Sequence, residues 1–273
     1  METADNESLT SQVNHVRHVL AVASGKGGVG KSLVSAMAAV ELARRELRVG
    51  ILDADITGPS IPRLFGMTAR PESSMVGILP PETTTGIKII SMNLFLDDSG
   101  QPVIWRGPLL TSAIKQFWTD VAWGDLDVLI IDLPPGTADV PLTAFQSLPV
   151  DGILMVTTPQ ELAGMIVEKA AGLAKQMRKP ILGIVENMAM VTCPHCGEGF
   201  ELFGPSHAQE LADRIGAPVL ARLPIDPDVA RQADTGHVED VQMPSFAPVT
   251  EALVKYVATT ATAFTTPNSV PAP

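Results

Sequence analysis

Residues 25–32 read GKGGVGKS, and this stretch decides the fold. It satisfies G-x-x-x-x-G-K-[ST], directly after the apolar run HVLAVAS (18–24) and directly before a helix-patterned stretch over 32–45. A buried strand, a glycine-rich turn and a helix start, in that order, make an anion cradle. The glycines let backbone N–H groups close around phosphate oxygens, and the helix start adds its partial positive charge. Lys31 is placed to reach the outer phosphates of a nucleotide, and the Ser32 hydroxyl to ligate Mg2+.

Outward from the loop, the pattern of short β-branched runs and longer helical stretches repeats. RVGILDAD (48–55), DVLIIDLPPG (127–136), GILMVTTP (152–159) and PILGIVENM (180–188) read as strands, with a helix over 161–177. A helix near 206–215, the strand APVLARLP (217–224) and a last helix near 247–260 follow. Apolar runs without polar alternation suit strands buried on both faces. The expected architecture is therefore a single α/β domain over 17–260, a mostly parallel sheet flanked by helices on both faces. Residues 1–16 and the tail 261–273 read as disordered. The Pro- and Gly-rich stretch 58–86 falls outside the sheet rhythm, and GIKIISMNLFL after it reads as a small β excursion or an edge strand.

The carboxyl ends of these strands carry the other candidate residues. Asp132 ends VLII, where a Mg2+ shell needs an anion, and the Gly136 N–H of the following PPGT is a candidate donor to a γ-phosphate. Asp53 and Asp55 end the second strand in the same crevice, and Asp53 is a second candidate for the magnesium shell.

Of the 273 residues, 45% are apolar and 18% charged, enough for a sizeable core. Nineteen Lys and Arg against 30 Asp and Glu leave a net charge of -11, which removes the electrostatic footprint of a protein devoted to nucleic acid or an anionic membrane. The apolar runs fall far short of the ~18 residues needed to cross a bilayer. METADNESLTSQ has neither the basic start nor the apolar stretch of a secretory leader, so the expected location is the cytoplasm.

Lys26 lies inside the glycine-rich turn, and with it GKGGVGKS resembles the deviant Walker A loop of the class that includes the ParA/MinD ATPases and the nitrogenase iron protein. In that class the early lysine reaches across a dimer interface to the partner's nucleotide. DADITGPSIPRLFG (53–66), WRGPLLTSAIKQF (105–117), DLPPGTADVPLT (132–143) and VENMAMVTCPHCG (185–197) narrow the resemblance. Together they are similar to the Mrp/ApbC family of ATP-binding iron-sulfur cluster carriers, over about residues 17–260.

The resemblance implies a slow ATPase that uses ATP and Mg2+, holds a labile 4Fe-4S cluster at a homodimer interface and transfers it to apo-proteins. It puts Gly25, Lys26, Gly27, Gly28, Val29, Gly30, Lys31, Ser32 and Leu33 around the nucleotide. Lys26 and Lys31 would act on the phosphates and Ser32 on Mg2+, with Asp132 in the outer metal shell. Asp55 would orient the attacking water, Asn187 would read adenine, and Pro224 and Asp226 would pack near the base. Leu33 stands where the family loop usually continues with Thr, so a hydroxyl contact to the α-phosphate is missing.

Cys193 and Cys196, the two cysteines of the chain, would hold the cluster. Two thiolates two residues apart grip one edge of a metal site, whereas tetrahedral Zn2+ or a 4Fe-4S cluster takes four ligands. A two-fold dimer with the two C-x-x-C steps face to face supplies four. A redox C-x-x-C, a zinc half-site using His195 or His207, and two incidental thiols remain as alternatives. For the whole chain the alternatives are a ParA/MinD-like ATP-dependent dimerisation switch and an electron donor like the nitrogenase iron protein.

Overall fold

The structure, a computed structural model, describes residues 9–55, 58–95, 107–136, 139–193 and 195–259. The chain runs through α1 (Leu9–Val13), β1 (His15–Ser24), α2 (Lys31–Ala43), β2 (Val49–Asp53), α3 (Ile61–Leu64), β3 (Glu72–Ser74), β4 (Gly77–Leu79) and β5 (Lys88–Ser91). It continues through α4 (Gly107–Thr119), β6 (Asp125–Asp132), α5 (Asp139–Ser147), β7 (Gly152–Thr157), α6 (Glu161–Gln176) and β8 (Ile181–Glu186). Last come β9 (Val191–Thr192), β10 (Gly199–Phe200), α7 (Ala208–Ile215), β11 (Val219–Arg222), α8 (Pro227–Asp234) and α9 (Ala247–Thr259).

Seven strands form one sheet in the order β11-β8-β7-β1-β6-β2-β5, and every neighbouring pair is parallel. The strands lack polar alternation because each feeds two cores. β1 sends Val19, Ala21 and Ala23 into the core shared with α4, α5, α6 and α7, and Leu20 and Val22 into the core shared with α2, α3, α8 and α9. β6 divides in the same way, with Leu129 and Ile131 on one face and Val128 and Ile130 on the other. The stretch 88–91 is the edge strand β5, beside β2.

β1 lies between β6 and β7, where the chain's path across the sheet changes direction. In an open parallel sheet, a crevice opens outside the carboxyl ends of the strands at this switch point. The glycine-rich loop occupies that crevice.

The amino ends of the strands hold the other irregular segments. β3 and β4 form a hairpin tied there through Ile78, whose N–H donates to Asp120 O and whose carbonyl accepts from Ala122 N, both at 2.8 Å. It therefore stands across the sheet from the loop and does not cover it. Residues 9–16, expected within a disordered segment, are ordered. The fully buried Asn14 donates to Val121 O at 2.7 Å and accepts from Gly124 N at 2.9 Å, and Thr10 donates to Val76 O at 2.9 Å. The Asn14 bonds satisfy backbone groups of the turn before β6 and the Thr10 bond one in the β3–β4 turn, and together they anchor the segment. Residues 1–8 and the tail 261–273 lie outside the described residues.

Candidate functional site

The loop leaves the end of β1 at Ser24 and enters α2 at Lys31. Gly28 and Gly30 have φ of 78° and 83°, the left-handed region that favours glycine. Gly25 is required by packing, since a Cβ there would lie 2.8 Å from Ile166 Cβ and from Val167 N of α6. The cap residue of α2 is Gly30, which offers no side-chain bond. The first amides of this 13-residue helix thus point into the crevice without a side-chain cap, the arrangement that receives an anion.

Beneath the loop lies a buried charge cluster. Lys31 Nζ is 2.7 Å from Asp132 Oδ1, and both side chains are buried. Ser32 Oγ donates to Asp132 Oδ2 and Ser35 Oγ to Oδ1, each at 2.6 Å. Asp53 is the register neighbour of Asp132 on the adjoining strand. Its carboxylate accepts from Ser91 Oγ at 3.0 Å and from the N–H groups of Ile61 and Asp55 at 3.2 Å. Burial first, and the neighbouring Asp132 carboxylate second, push the Asp53 carboxyl up to about 8 against the pull of Lys31. Two buried acidic side chains thus share one buried lysine, and without further positive charge Asp53 holds on to its proton. That oxygen-rich, under-neutralised donor set, with the Ser32 hydroxyl on its rim, fits Mg2+.

The remaining expected residues surround this cluster. Lys26 donates from Nζ to Gln160 Oε1 of its own chain, on the loop after β7. Asn187, buried at the end of β8, donates from Nδ2 to Val29 O at 3.0 Å and so braces the loop from below. The Gly136 N–H donates to Ser24 O at 2.9 Å, so it is engaged by the loop's own entry strand. Asp55 is half-buried at the end of β2, and the segment after it returns Gly58 N to Asp55 O at 3.1 Å. Leu33 packs its side chain against the core beside α2. Asp226 is exposed and caps α8, accepting from Asp228 N at 2.9 Å and Val229 N at 3.3 Å, while Pro224 lies half-buried before it. That cap is a structural role for the Asp226 carboxylate.

Sequence reasoning missed Ser35, Ser91 and Gln160. Ser35 lies one turn beyond Ser32 on the face of α2 turned to the sheet, and helical spacing alone could have found it. Ser91 and Gln160 have no local signal, because the pairing of β5 with β2 brings the first and the loop after β7 brings the second.

Cys193 and Cys196 occupy the turn of the β9–β10 hairpin, on the extension of β8 beyond Asn187. Cys193 N donates to Glu198 O and Gly197 N to Cys193 O, both at 2.9 Å. The hairpin is tied to the body by Ala189 N donating to Leu223 O and Ile225 N to Met190 O, both at 2.8 Å. The Cys196 backbone amide first, then the His195 amide and the Cys196 thiol, hold the Cys193 thiol below its ordinary range. Both cysteines are free, Cys193 half-buried and Cys196 exposed. Among the described residues no group of three or more His, Cys, Asp or Glu could hold a metal ion. His207 faces Glu210 at 3.5 Å. The cysteines sit in a hairpin turn, away from any helix start of the kind that a thioredoxin-like motif uses.

Residues 15–260 match the model of a family described as ParA: NUBPL iron-transfer P-loop NTPase. The chain is 41% identical over 240 residues to an iron-sulfur cluster carrier protein of Clostridium perfringens, covering 85% of this chain and 84% of that protein. It is 46% identical over 224 residues to one of Pseudomonas fragi, covering 81% and 78%. Among solved structures it is similar to a nucleotide-binding protein of Archaeoglobus fulgidus in complex with ADP and with cobalt found in it. That likeness has a TM-score of 0.78 and 43% identity over 88% of this chain and 95% of that one. The cell division ATPase MinD of Pyrococcus furiosus shares the fold, with a TM-score of 0.64 at 19% identity over 88% and 99%.

Proposed function

The chain belongs to the NUBPL iron-transfer P-loop NTPase family of the ParA class, and we propose that it is an ATP-hydrolysing carrier of iron-sulfur clusters. In this reading a homodimer holds a labile 4Fe-4S cluster between its subunits and passes it to apo iron-sulfur proteins in the cytoplasm. The observation that carries it is the half metal site of Cys193 and Cys196 on a hairpin continuous with β8, whose end braces the glycine-rich loop through Asn187. Two copies supply the four thiolates that such a cluster takes.

The nucleotide chemistry is positioning plus charge neutralisation. The uncapped amides of α2 and the loop hold phosphate oxygens. Lys31 leaves Asp132 for the outer phosphates, and Lys26 leaves Gln160 for the partner's nucleotide. Ser32, Asp53 and Asp132 would hold Mg2+, which supplies positive charge against the phosphate oxygens. Asp55 aligns a water that attacks the γ-phosphorus as the bond to the β-phosphate oxygen breaks and ADP leaves. Neither nucleic acid nor membrane belongs to this reading. The net charge is -11, and among the described residues no helix is long and apolar enough to cross a membrane. A ParA/MinD-like switch shares the fold but gives the two cysteines no task.

The test separates the two sites. Lys31→Ala is expected to abolish the effect of ATP on transfer to an apo-acceptor while leaving cluster uptake as in wild type. Equal loss of both activities overturns this division of roles.

A further inference from the structure

Apolar side chains crowd around the cysteine hairpin. Among the described residues seven large hydrophobic side chains are exposed, and four of them, Met190 (38%), Phe200 (49%), Leu202 (54%) and Phe203 (38%), fall within fourteen residues of sequence that include Cys193 and Cys196. Scattered single exposures are ordinary, whereas a cluster beside a candidate metal site marks a contact surface.

The cluster is held outward by built structure. Arg222 donates from Nε to Glu186 Oε2 and from Nη2 to Glu201 Oε1, both at 2.8 Å. Glu186 is buried and also accepts from Ser206 Oγ at 2.8 Å on each carboxylate oxygen. The strand ends of β8 and β11 thereby clamp residues 201–206 at both ends, with Leu202 and Phe203 between the clamps. Met190 lies over the hairpin, its Cε 2.6 Å from the place a Cβ on Gly199 would take, so a side chain there would displace it.

We propose that Met190, Phe200, Leu202 and Phe203 form the contact rim for a second copy of this chain, closing around the shared cluster and keeping water from it. The proposal rests on the carrier reading and names the surface by which its dimer forms. Three observations select a second copy as the occupant. Two cysteines make half a site, with no third ligand nearby among the described residues, so the site is incomplete without another chain. A two-fold contact presses a surface against itself, which an apolar patch tolerates and a patch of one charge does not. Of the two acidic residues between Met190 and Phe203, Glu201, which lies among the rim side chains themselves, is paired with Arg222, and Glu198 stands in the cysteine turn.

The rim is small. Four side chains exposed by about half offer roughly 300–400 Å² per copy, against the ~800 Å² per partner of a stable interface. The rim alone holds the dimer weakly, and the shared cluster, with Lys26 on the partner's nucleotide, supplies the remainder. Cluster loading therefore tightens the dimer through this face, and the apolar shell limits solvent access to the metal.

The experiment compares wild type, Leu202→Ser/Phe203→Ser and the control Met75→Ser, whose side chain is exposed on the distant β3–β4 hairpin. Each is reconstituted anaerobically with iron and sulfide, then measured for particle mass across a dilution series and for bleaching of the cluster in air. ADP binding reports that each variant is folded. The rim variant is expected to dissociate at about tenfold higher concentration or more and to bleach correspondingly faster, with ADP binding and the control unchanged. A rim variant with wild-type mass and bleaching overturns the proposal. So does one that keeps the loaded dimer and loses only transfer to an apo-acceptor, which would make the rim a client surface. A wild type that takes up no cluster yet dimerises through Leu202 and Phe203 overturns the carrier reading and leaves the interface standing. A wild type that takes up none and stays monomeric overturns both.

Discussion

Gly30→Ala tests how the loop is braced. Gly30 has φ of 83°, and a Cβ there would lie 2.2 Å from Asn187 Nδ2, the atom that donates to Val29 O at 3.0 Å. The left-handed backbone costs an alanine about 1–2 kcal/mol. Asn187 must swing away from the new methyl, which forfeits its buried hydrogen bond for about 1 kcal/mol more. The sum is about 2–3 kcal/mol. Gly28 is the internal comparison, because its φ is 78° and a Cβ there meets nothing within 4 Å. Gly28→Ala should therefore carry the backbone cost alone, about 1–2 kcal/mol. On an Asn187→Ala background the Gly30 substitution should fall to the same value, a coupling of about 1 kcal/mol in the double-mutant cycle. Urea unfolding without nucleotide measures the four variants against wild type, and ADP titration reports whether the loop still closes. Equal costs at Gly28 and Gly30, or strict additivity of Gly30→Ala with Asn187→Ala, would refute the bracing role of Asn187.

Other perturbations follow from the same geometry. Lys31→Ala removes the cation paired with the buried Asp132 carboxylate and should destabilise the nucleotide-free protein by about 3–5 kcal/mol, a loss that Asp132→Asn in the same chain partly restores; urea midpoints decide it. Asn14→Ala leaves Val121 O and Gly124 N without their side-chain partner and should cost about 2–4 kcal/mol in the same assay, whereas a disordered N-terminal segment would give none. His18 is buried, and burial lowers its pKa against the opposing pull of Asp151. Between that lowered value and the ordinary 6.5 the unfolded chain binds the additional proton, so stability falls as pH drops through this window. His18→Gln should shrink the difference in urea midpoint between pH 7.5 and 5.5. Asp151, raised by burial, acts with the opposite sign at lower pH, and an unchanged difference in the variant would contradict the assignment.

What was legible in the sequence follows from where each signal resides. The sheet could be read because strands buried on both faces write continuous apolar runs, as β1, β6 and β7 do. The phosphate cradle was legible because its parts are contiguous, from the end of β1 to the start of α2. Residues 9–16 were misread because METADNESLTSQ is polar, and the side chain of Asn14 finds hydrogen-bond partners more than 100 positions away. The hairpin of β3 and β4 escaped because its strands are short and carry little buried apolar surface. Gly77 within it has φ of 125°, and a Cβ there would lie 2.5 Å from Asp120 O, a constraint that only the fold reveals. At the site, Ser91 meets Asp53 through strand register, and Gln160 meets Lys26 across the crevice. Neither contact leaves a trace in local spacing.

The central claim is that two chains share one cluster through Cys193 and Cys196. Anaerobic reconstitution of wild type and of Cys193→Ala/Cys196→Ala, read by iron and sulfide content together with particle mass, tests it most directly. The account predicts about four iron and four sulfide per dimer in wild type, and loss of both the cluster and the cluster-dependent dimer in the double variant, with ADP binding retained. A double variant that still takes up the cluster, or a wild type that holds one on a monomer, would contradict it.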